Sequence, residues 1–371
     1  MSIPTTTREY RLPKVDGIHN LQVQEGSIKP PGDSEVLVKI YAVSLQFRDL
    51  LVAQGRYSPN QKKNVVPCSD MSGEVIAVGS NVKKFKVGDR VCSNLNVDHV
   101  FGDITEETIS TGLGGYIDGV LTEYKVFPVH CLVHAPCHLT HTEASTLPCA
   151  GLTAYNALHG PTPIKGGDIV LVQGTGGMSI FALQFALACG ANVIVISSSD
   201  DKLSLAKSLG ARWGVNYKKC PEWDQEVMTT TKGRGVDHIL EVGGKGTFEK
   251  SMKCVRYAGW VHVIGFIAGV NEGTSGGGNV PKLIQSKAVM VRGIQIGSRA
   301  QFEEMNRLIV ARNIKPVVDH VFEFEQAREA FEYLSQQKHV GKVIIRVVKR
   351  EEEKEEVCGD GCSDEGCRWY P

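Results

Sequence analysis

The sequence predicts a mixed α/β fold in two parts, a β-rich barrel followed by a doubly wound parallel sheet. In the first ~150 residues, short apolar stretches at Val36–Val43, Gly73–Val78 and Thr122–Val126 are separated by turn residues at close spacing. From Asp168 onward, strand-like and helix-like segments alternate, the pattern of a parallel sheet with helical crossovers. Between the first such strand and the first such helix lies a glycine turn, Gly174-Thr175-Gly176-Gly177. A chain of 371 residues exceeds what one core holds and suits two domains.

Each element follows in order. Gly79-Ser80-Asn81 and Val87-Gly88-Asp89-Arg90 are turns between barrel strands. Thr140, with Glu143 three residues later, makes a capping box that opens a helical stretch running to Leu158. Beyond Pro161 and Pro163 come a strand at Asp168–Gln173, a helix at Ile180–Cys189, a strand at Asn192–Ser197 and a helix at Asp201–Leu209. Further strands read at His238–Val242, Trp260–Gly265 and Val289–Ile296. The Gly269–Gly278 segment reads as a flexible connection, and Gln301–Arg312 and Glu325–Gln336 as amphipathic helices. From Lys349 a charge run leads into Cys358-Gly359-Asp360-Gly361-Cys362, and residues 349–371 read as a disordered, acidic tail.

Composition narrows the function classes. Formal net charge is zero, so no global field favours nucleic acid or an anionic membrane. Met1–Asn20 has no apolar core of a secretory signal, and no run reaches the length of a transmembrane helix. The expected address is the cytoplasm, where the eleven irregularly spaced cysteines would be reduced thiols. Cys358, Cys362 and Cys367 lack a fourth ligand nearby, and His99, His130 and His320 show no ligand spacing.

The strongest motif is Gly174-Thr175-Gly176-Gly177-Met178-Ser179. A dinucleotide pyrophosphate needs a tight turn, a backbone with no Cβ in the way and a helix N-terminus aimed at its charge; strand, glycines and helix supply these in order. An NAD site usually carries an acid about 20 residues further on, at the end of the second strand. Here that stretch reads Ile196-Ser197-Ser198-Ser199-Asp200-Asp201-Lys202, with hydroxyls in the acid's place and a lysine within reach of a phosphate. Asp200 and Asp201 fall in the first turn of the next helix, where the dipole favours acids in any case. NADPH is expected over NADH.

Together with Gly73–Gly79 and Leu147-Pro148-Cys149-Ala150-Gly151-Leu152-Thr153-Ala154-Tyr155, these residues resemble the medium-chain dehydrogenase/reductase superfamily, near its zinc-independent quinone-oxidoreductase branch. The resemblance runs from about residue 30 to residue 347. It implies a GroES-like catalytic domain over 1–155, completed by about 305–348, with a Rossmann domain over 156–304. It also assigns Ser198, Lys202 and Tyr217 to the 2′-phosphate, and Phe266-Ile267 and Gly297-Ser298-Arg299 to the nicotinamide. Zinc-dependent members use a Cys, a His and a second Cys at the places held here by Gln46, Ser69 and Cys149, so no metal is expected. The implied chemistry is hydride transfer from NADPH to a quinone or an α,β-unsaturated carbonyl. Gln46 is the expected donor to the carbonyl, Tyr57 a proton donor or pocket wall, and Thr153 a contact to the nicotinamide or its ribose. Asp49 reads as a structural carboxylate. A homodimer paired near Gly293 is implied by the same resemblance. A zinc-free alcohol dehydrogenase and an NADPH-binding protein with little catalysis are the alternatives.

Overall fold

The strand Glu35–Ser44 buries Val36, Val38, Ile40, Ala42 and Val43 and stands at the centre of the first sheet. It pairs antiparallel with Asp70–Val78, with Lys342–Arg346 and with Tyr124–Pro128. The full order is Val318–Glu323, Lys342–Arg346, Glu35–Ser44, Asp70–Val78, Arg90–Ser93, Leu132–His134. Phe127, Leu45, Met71 and Phe331 are among the large side chains filling its core. This is a GroES-like arrangement, and its last two strands in sequence come from the far end of the chain.

The second sheet has six strands, all parallel: Trp213–Asn216, Asn192–Ser197, Ile169–Gln173, Val236–Glu241, Val255–Val263 and Met290–Gly293, in that spatial order. Numbered along the chain the order is 3-2-1-4-5-6, the Rossmann order, which reverses direction between Ile169–Gln173 and Val236–Glu241. Val170, Leu171 and Val172 are all buried, as strands covered on both faces must be.

The structure is a computed structural model and describes residues 3–267, Gly269 and 280–348. The expected tail (349–371) and all of the Gly269–Gly278 connection except Gly269 lie outside the described residues. Contacts divide the chain into one unit of residues 1–152 with the chain from Gly297, and a second of Thr153–Ile296. The sequence put these crossings at 155 and 304. The structure keeps the whole helix Arg299–Ala311 with the first unit.

Several elements differ from expectation for local reasons. The Thr140 capping box is present, with Glu143 N–H donating to Thr140 Oγ1 at 3.2 Å and Thr140 N–H to Glu143 Oε2 at 2.8 Å. The helix it opens is only His141–Ala144, because Pro148 removes a backbone donor and the chain passes through a π-helical turn, Leu147–Gly151, before helix Leu152–Leu158. The strands Trp213–Asn216 and Val318–Glu323 carry too few apolar residues to stand out by periodicity. Seven cysteines are free thiols, whereas Cys137 is disulfide-bonded, against the expectation of reduced thiols throughout.

The segment leading into Asp70 is held by backbone-to-backbone packing. Cys68 has φ +68°, and Gly114 and Gly119 press against it; a Cβ at Gly119 would sit 2.0 Å from Cys68 O and 2.5 Å from Pro67 O. Neither carbonyl can retreat as a flexible side chain would. Gly119→Ala should therefore lower the unfolding free energy by about 3 kcal/mol in denaturant titrations. Wild-type stability in that variant would mean the segment yields.

Candidate functional site

In the second unit the glycine turn leaves the end of strand Ile169–Gln173, pinned by Gly174 N–H donating to Ile196 O at 2.7 Å. Gly174 has φ +77°, which favours glycine, and a Cβ at Gly174 or Gly176 would meet nothing within 4 Å. Gly176 is the N-cap of helix Gly177–Ala188 and offers no side-chain cap, so the first-turn N–H groups have no side-chain acceptor there. Met178 lies in that first turn, and Thr175 is buried. Ser179 is buried as well and donates from Oγ to Gln173 O at 2.8 Å, drawing the helix onto the strand. The turn is an open cradle at the carboxyl end of a parallel strand, which fits a pyrophosphate.

The other expected residues of this unit gather at the same edge of the sheet. Ser198 follows the last residue of Asn192–Ser197, and Tyr217 follows Trp213–Asn216, with its N–H donating to Ser197 O at 3.0 Å. Lys202 is the third residue of helix Asp200–Ser208. Asp200 turns away to Asn216 Nδ2 at 2.7 Å and to the Lys219 ammonium. Phe266 and Ile267 follow Val255–Val263 and are 55% and 47% exposed, far more than a core would leave such side chains. Thr153 is buried on helix Leu152–Leu158. Sequence reasoning missed the pair at the strand reversal: Gln173 Nε2 donates to the buried Glu241 Oε2 at 2.6 Å, and Gln173 Oε1 accepts from Val242 N–H at 3.1 Å.

Gly297, Ser298 and Arg299 belong to the first unit. Ser298 is buried as the N-cap of Arg299–Ala311, and Arg299 N–H donates to His99 O at 2.9 Å.

The first unit also holds a buried polar cluster. Gln46 is the N-cap of helix Phe47–Ala53, and its N–H donates to Asp49 Oδ2 at 2.7 Å, so Asp49 does serve the helix. Gln46 Nε2 donates to Asp70 Oδ2 at 2.6 Å, which commits one of the two amide N–H groups expected for a substrate carbonyl. Asp70 also accepts from Ser69 Oγ at 2.6 Å and from Cys149 N–H at 2.9 Å. Burial lifts the Asp70 carboxyl to about 6, against the pull of the Lys342 ammonium, which burial in turn pushes below its usual range. Lys342 also donates to Leu45 O. Burial raises the Cys149 thiol. Tyr57 stacks under the Arg48 guanidinium, 4.5 Å from carbon to ring centroid, and meets Tyr116 edge-on at 5.8 Å. Asp70, Arg48 and Lys342 were not singled out from the sequence.

A zinc ion fits this set poorly. Its three places hold an amide, a hydroxyl and a thiol that burial keeps protonated, and the first two already donate hydrogen bonds to Asp70.

With two such units the chain is a dinucleotide-fold oxidoreductase, and it belongs to the medium-chain dehydrogenase/reductase superfamily. Residues 32–137 match the alcohol dehydrogenase GroES-like domain and residues 177–311 the zinc-binding dehydrogenase domain. The chain is 43% identical over 342 residues to a zinc-type alcohol dehydrogenase-like protein of Schizosaccharomyces pombe, covering 90% of this chain and 97% of that one. It is 29% identical to an acryloyl-coenzyme A reductase of Sulfurisphaera tokodaii, over 85% of this chain and 93% of the other. A putative alcohol dehydrogenase from Sinorhizobium meliloti superposes with a TM-score of 0.85 at 38% identity, over 93% of this chain and 100% of that one.

The elevated Asp70 carboxyl has a consequence for stability. Folded Asp70 keeps its proton up to about pH 6, whereas an unfolded aspartate releases it near 3.8. Its contribution is thus fully present below about pH 4 and is lost as pH rises through 6. Relative to wild type, Asp70→Asn should gain stability between about pH 4 and pH 6 in thermal melts and level off above that. A difference that does not change with pH would show that Asp70 titrates normally.

Proposed function

We propose that this chain is a zinc-independent, NADPH-dependent reductase that delivers hydride to a quinone or an α,β-unsaturated carbonyl. The observation that carries this reading is the Asp70 cluster, in which Gln46 and Ser69, at two of the three places zinc would use, donate hydrogen bonds to Asp70. When bound, the reduced nicotinamide supplies the hydride. The chain's part is to bind, orient and balance charge.

We assign Gly174, Thr175, Gly176, Gly177, Met178 and Ser179 to the pyrophosphate, with the open first turn of the helix as its donor. The 2′-phosphate reading is supported by Ser198 and Tyr217 standing at neighbouring strand ends, by Lys202 in the first turn of the helix that follows Ser198, and by Asp200 being taken up by Asn216 and Lys219. Phe266, Ile267 and Thr153 are assigned to the nicotinamide end. Gln46 and Tyr57 are assigned to the acceptor. Hydride addition to a β-carbon leaves an enolate that needs donors and then a proton. Gln46 retains a second N–H for that oxygen, and Tyr57 carries a hydroxyl.

A zinc-free alcohol dehydrogenase is the second reading: the names of the yeast and Sinorhizobium relatives favour an alcohol dehydrogenase, although the yeast relative is called zinc-type. We further infer a cytoplasmic homodimer. Seven of the eight described cysteines are free thiols, Cys137 being the exception, and strand Met290–Gly293 is a sheet edge with Val291 39% exposed. Among the described residues, no helix is long and apolar enough to cross a membrane.

The first test is NADPH oxidation at 340 nm against 1,4-benzoquinone, trans-2-hexenal, a simple enone and an aldehyde. Turnover of the quinone or the conjugated carbonyls, faster with NADPH than with NADH, is expected. Alcohol oxidation with NADP⁺ and no enone reduction would select the second reading. Lys202→Ala should raise KM for NADPH about 10- to 100-fold and leave NADH nearly unchanged, as loss of one charge-assisted phosphate contact requires. Equal effects on both cofactors would remove Lys202 from the phosphate site. Because a Cβ at Gly176 meets nothing, Gly176→Ala should keep the wild-type Tm while weakening NADPH binding at least tenfold. Unchanged binding would move the pyrophosphate elsewhere.

A further inference from the structure

Arg48 is the charged side chain of the first unit's cluster whose hydrogen-bonding capacity the fold leaves half used. It follows Phe47 in the first turn of helix Phe47–Ala53, and its side chain is only 10% exposed. Nη1 donates to Leu113 O at 2.9 Å and stands 3.7 Å from Asp49 Oδ1. The Tyr57 ring covers one face of the guanidinium. Nε and Nη2 are both buried away from solvent and, among the described residues, meet no partner at hydrogen-bonding geometry, although the Tyr57 phenol is close enough to act on the guanidinium.

Buried N–H groups of a cation are rarely left unpaired, because their lost hydration is then uncompensated. These two lie along one edge of the guanidinium plane, the edge that meets both oxygens of a carboxylate in a side-on fork. Gly115 packs directly beside that edge. A Cβ at Gly115 would lie 2.8 Å from Arg48 Nη2 and 2.7 Å from Tyr57 Cε1, so any larger residue there would press on the guanidinium. Asp49 Oδ1 has no hydrogen-bond partner among the described residues either, and at 3.7 Å it balances part of the arginine's charge without filling the fork.

We propose that Arg48 is a specificity-determining residue that binds a carboxylate of the acceptor, so that the substrate is a conjugated carbonyl compound bearing an acid group. The proposal rests on the reductase reading for its chemistry, but the anion site can be tested without turnover.

The experiment compares trans-4-oxo-2-pentenoate with its methyl ester, using the full chain and NADPH. The wild type should prefer the acid in kcat/KM by about 10- to 100-fold, mostly through KM, and Arg48→Gln should bring the ratio close to one. Arg48→Lys should fall between, since an ammonium keeps the charge but not the fork. An acid-to-ester ratio near one in the wild type, or a ratio that survives in Arg48→Gln, would overturn the proposal. Should Arg48→Gln not fold, Gly115→Ala keeps the cation and narrows its approach. It must lower the same ratio, and an unchanged ratio counts against the site. If neither compound is reduced, the reductase reading is judged by the quinone and enone panel instead. The anion site is then decided by melting curves: a Tm rise with the acid and not the ester, absent in Arg48→Gln, supports it, and no acid-specific rise rejects it.

Discussion

A carboxylate removed from water must be paid for by its neighbours, and the first unit is arranged around one, Asp70. Three donors converge on it: the Gln46 amide from a helix N-cap, the Ser69 hydroxyl from the preceding loop, and the Cys149 backbone from the π-helical turn. The Lys342 ammonium, on a strand near the other end of the chain, lowers the carboxyl that burial raises. One buried charge thus ties together four segments far apart in sequence. Removing any donor would leave the buried Asp70 carboxyl short of a hydrogen-bond partner. Packing around the hub is correspondingly unforgiving, since Gly114 and Gly119 meet the Cys68 backbone with no room for a methyl group.

The second unit solves a different problem, how to hold a ligand rather than a charge of its own. Its sheet reverses direction between Ile169–Gln173 and Val236–Glu241, which parts the connecting helices at the carboxyl ends of those strands. The glycine turn occupies that gap. Gln173 and Glu241 lock the two strand ends to each other, and Glu241 also accepts from Gly243 and Gly244 N–H at 3.0 Å each. The rigid part is buried and the open part is glycine, the division of labour a preorganised phosphate cradle needs.

These two solutions were unequally legible in the sequence. A glycine turn between a strand and a helix is local, so six consecutive residues reveal it. The parallel strands showed as apolar runs for the same reason. The Asp70 hub is non-local: Gln46 lies 24 positions from it, Cys149 lies 79, and Lys342 comes from the last described strand. Nothing in a lone Asp, Gln or Lys announces such a meeting. Arg48 was invisible in another way, because an arginine in the first turn of a helix reads as solvated until its burial is known. The break at Pro148 was missed because a good cap at Thr140 outweighed a proline further along, and a cap fixes only where a helix starts.

The hub also bears on which acceptor suits this chain. A metal ion would polarise an isolated carbonyl or alkoxide strongly, which is what alcohol and aldehyde interconversion asks of a site. Hydrogen-bond donors and one guanidinium supply a weaker and more diffuse field. That is sufficient where hydride addition produces a delocalised anion, as at the β-carbon of a conjugated carbonyl or at a quinone, because the substrate itself spreads the charge. On the reductase reading, the absence of good zinc ligands at Gln46 and Ser69 and the unused edge of Arg48 therefore have a common sense. On that same reading the positive field would lie on a fork of N–H groups suited to an acid on the acceptor, and the conjugated system would do the remaining stabilisation.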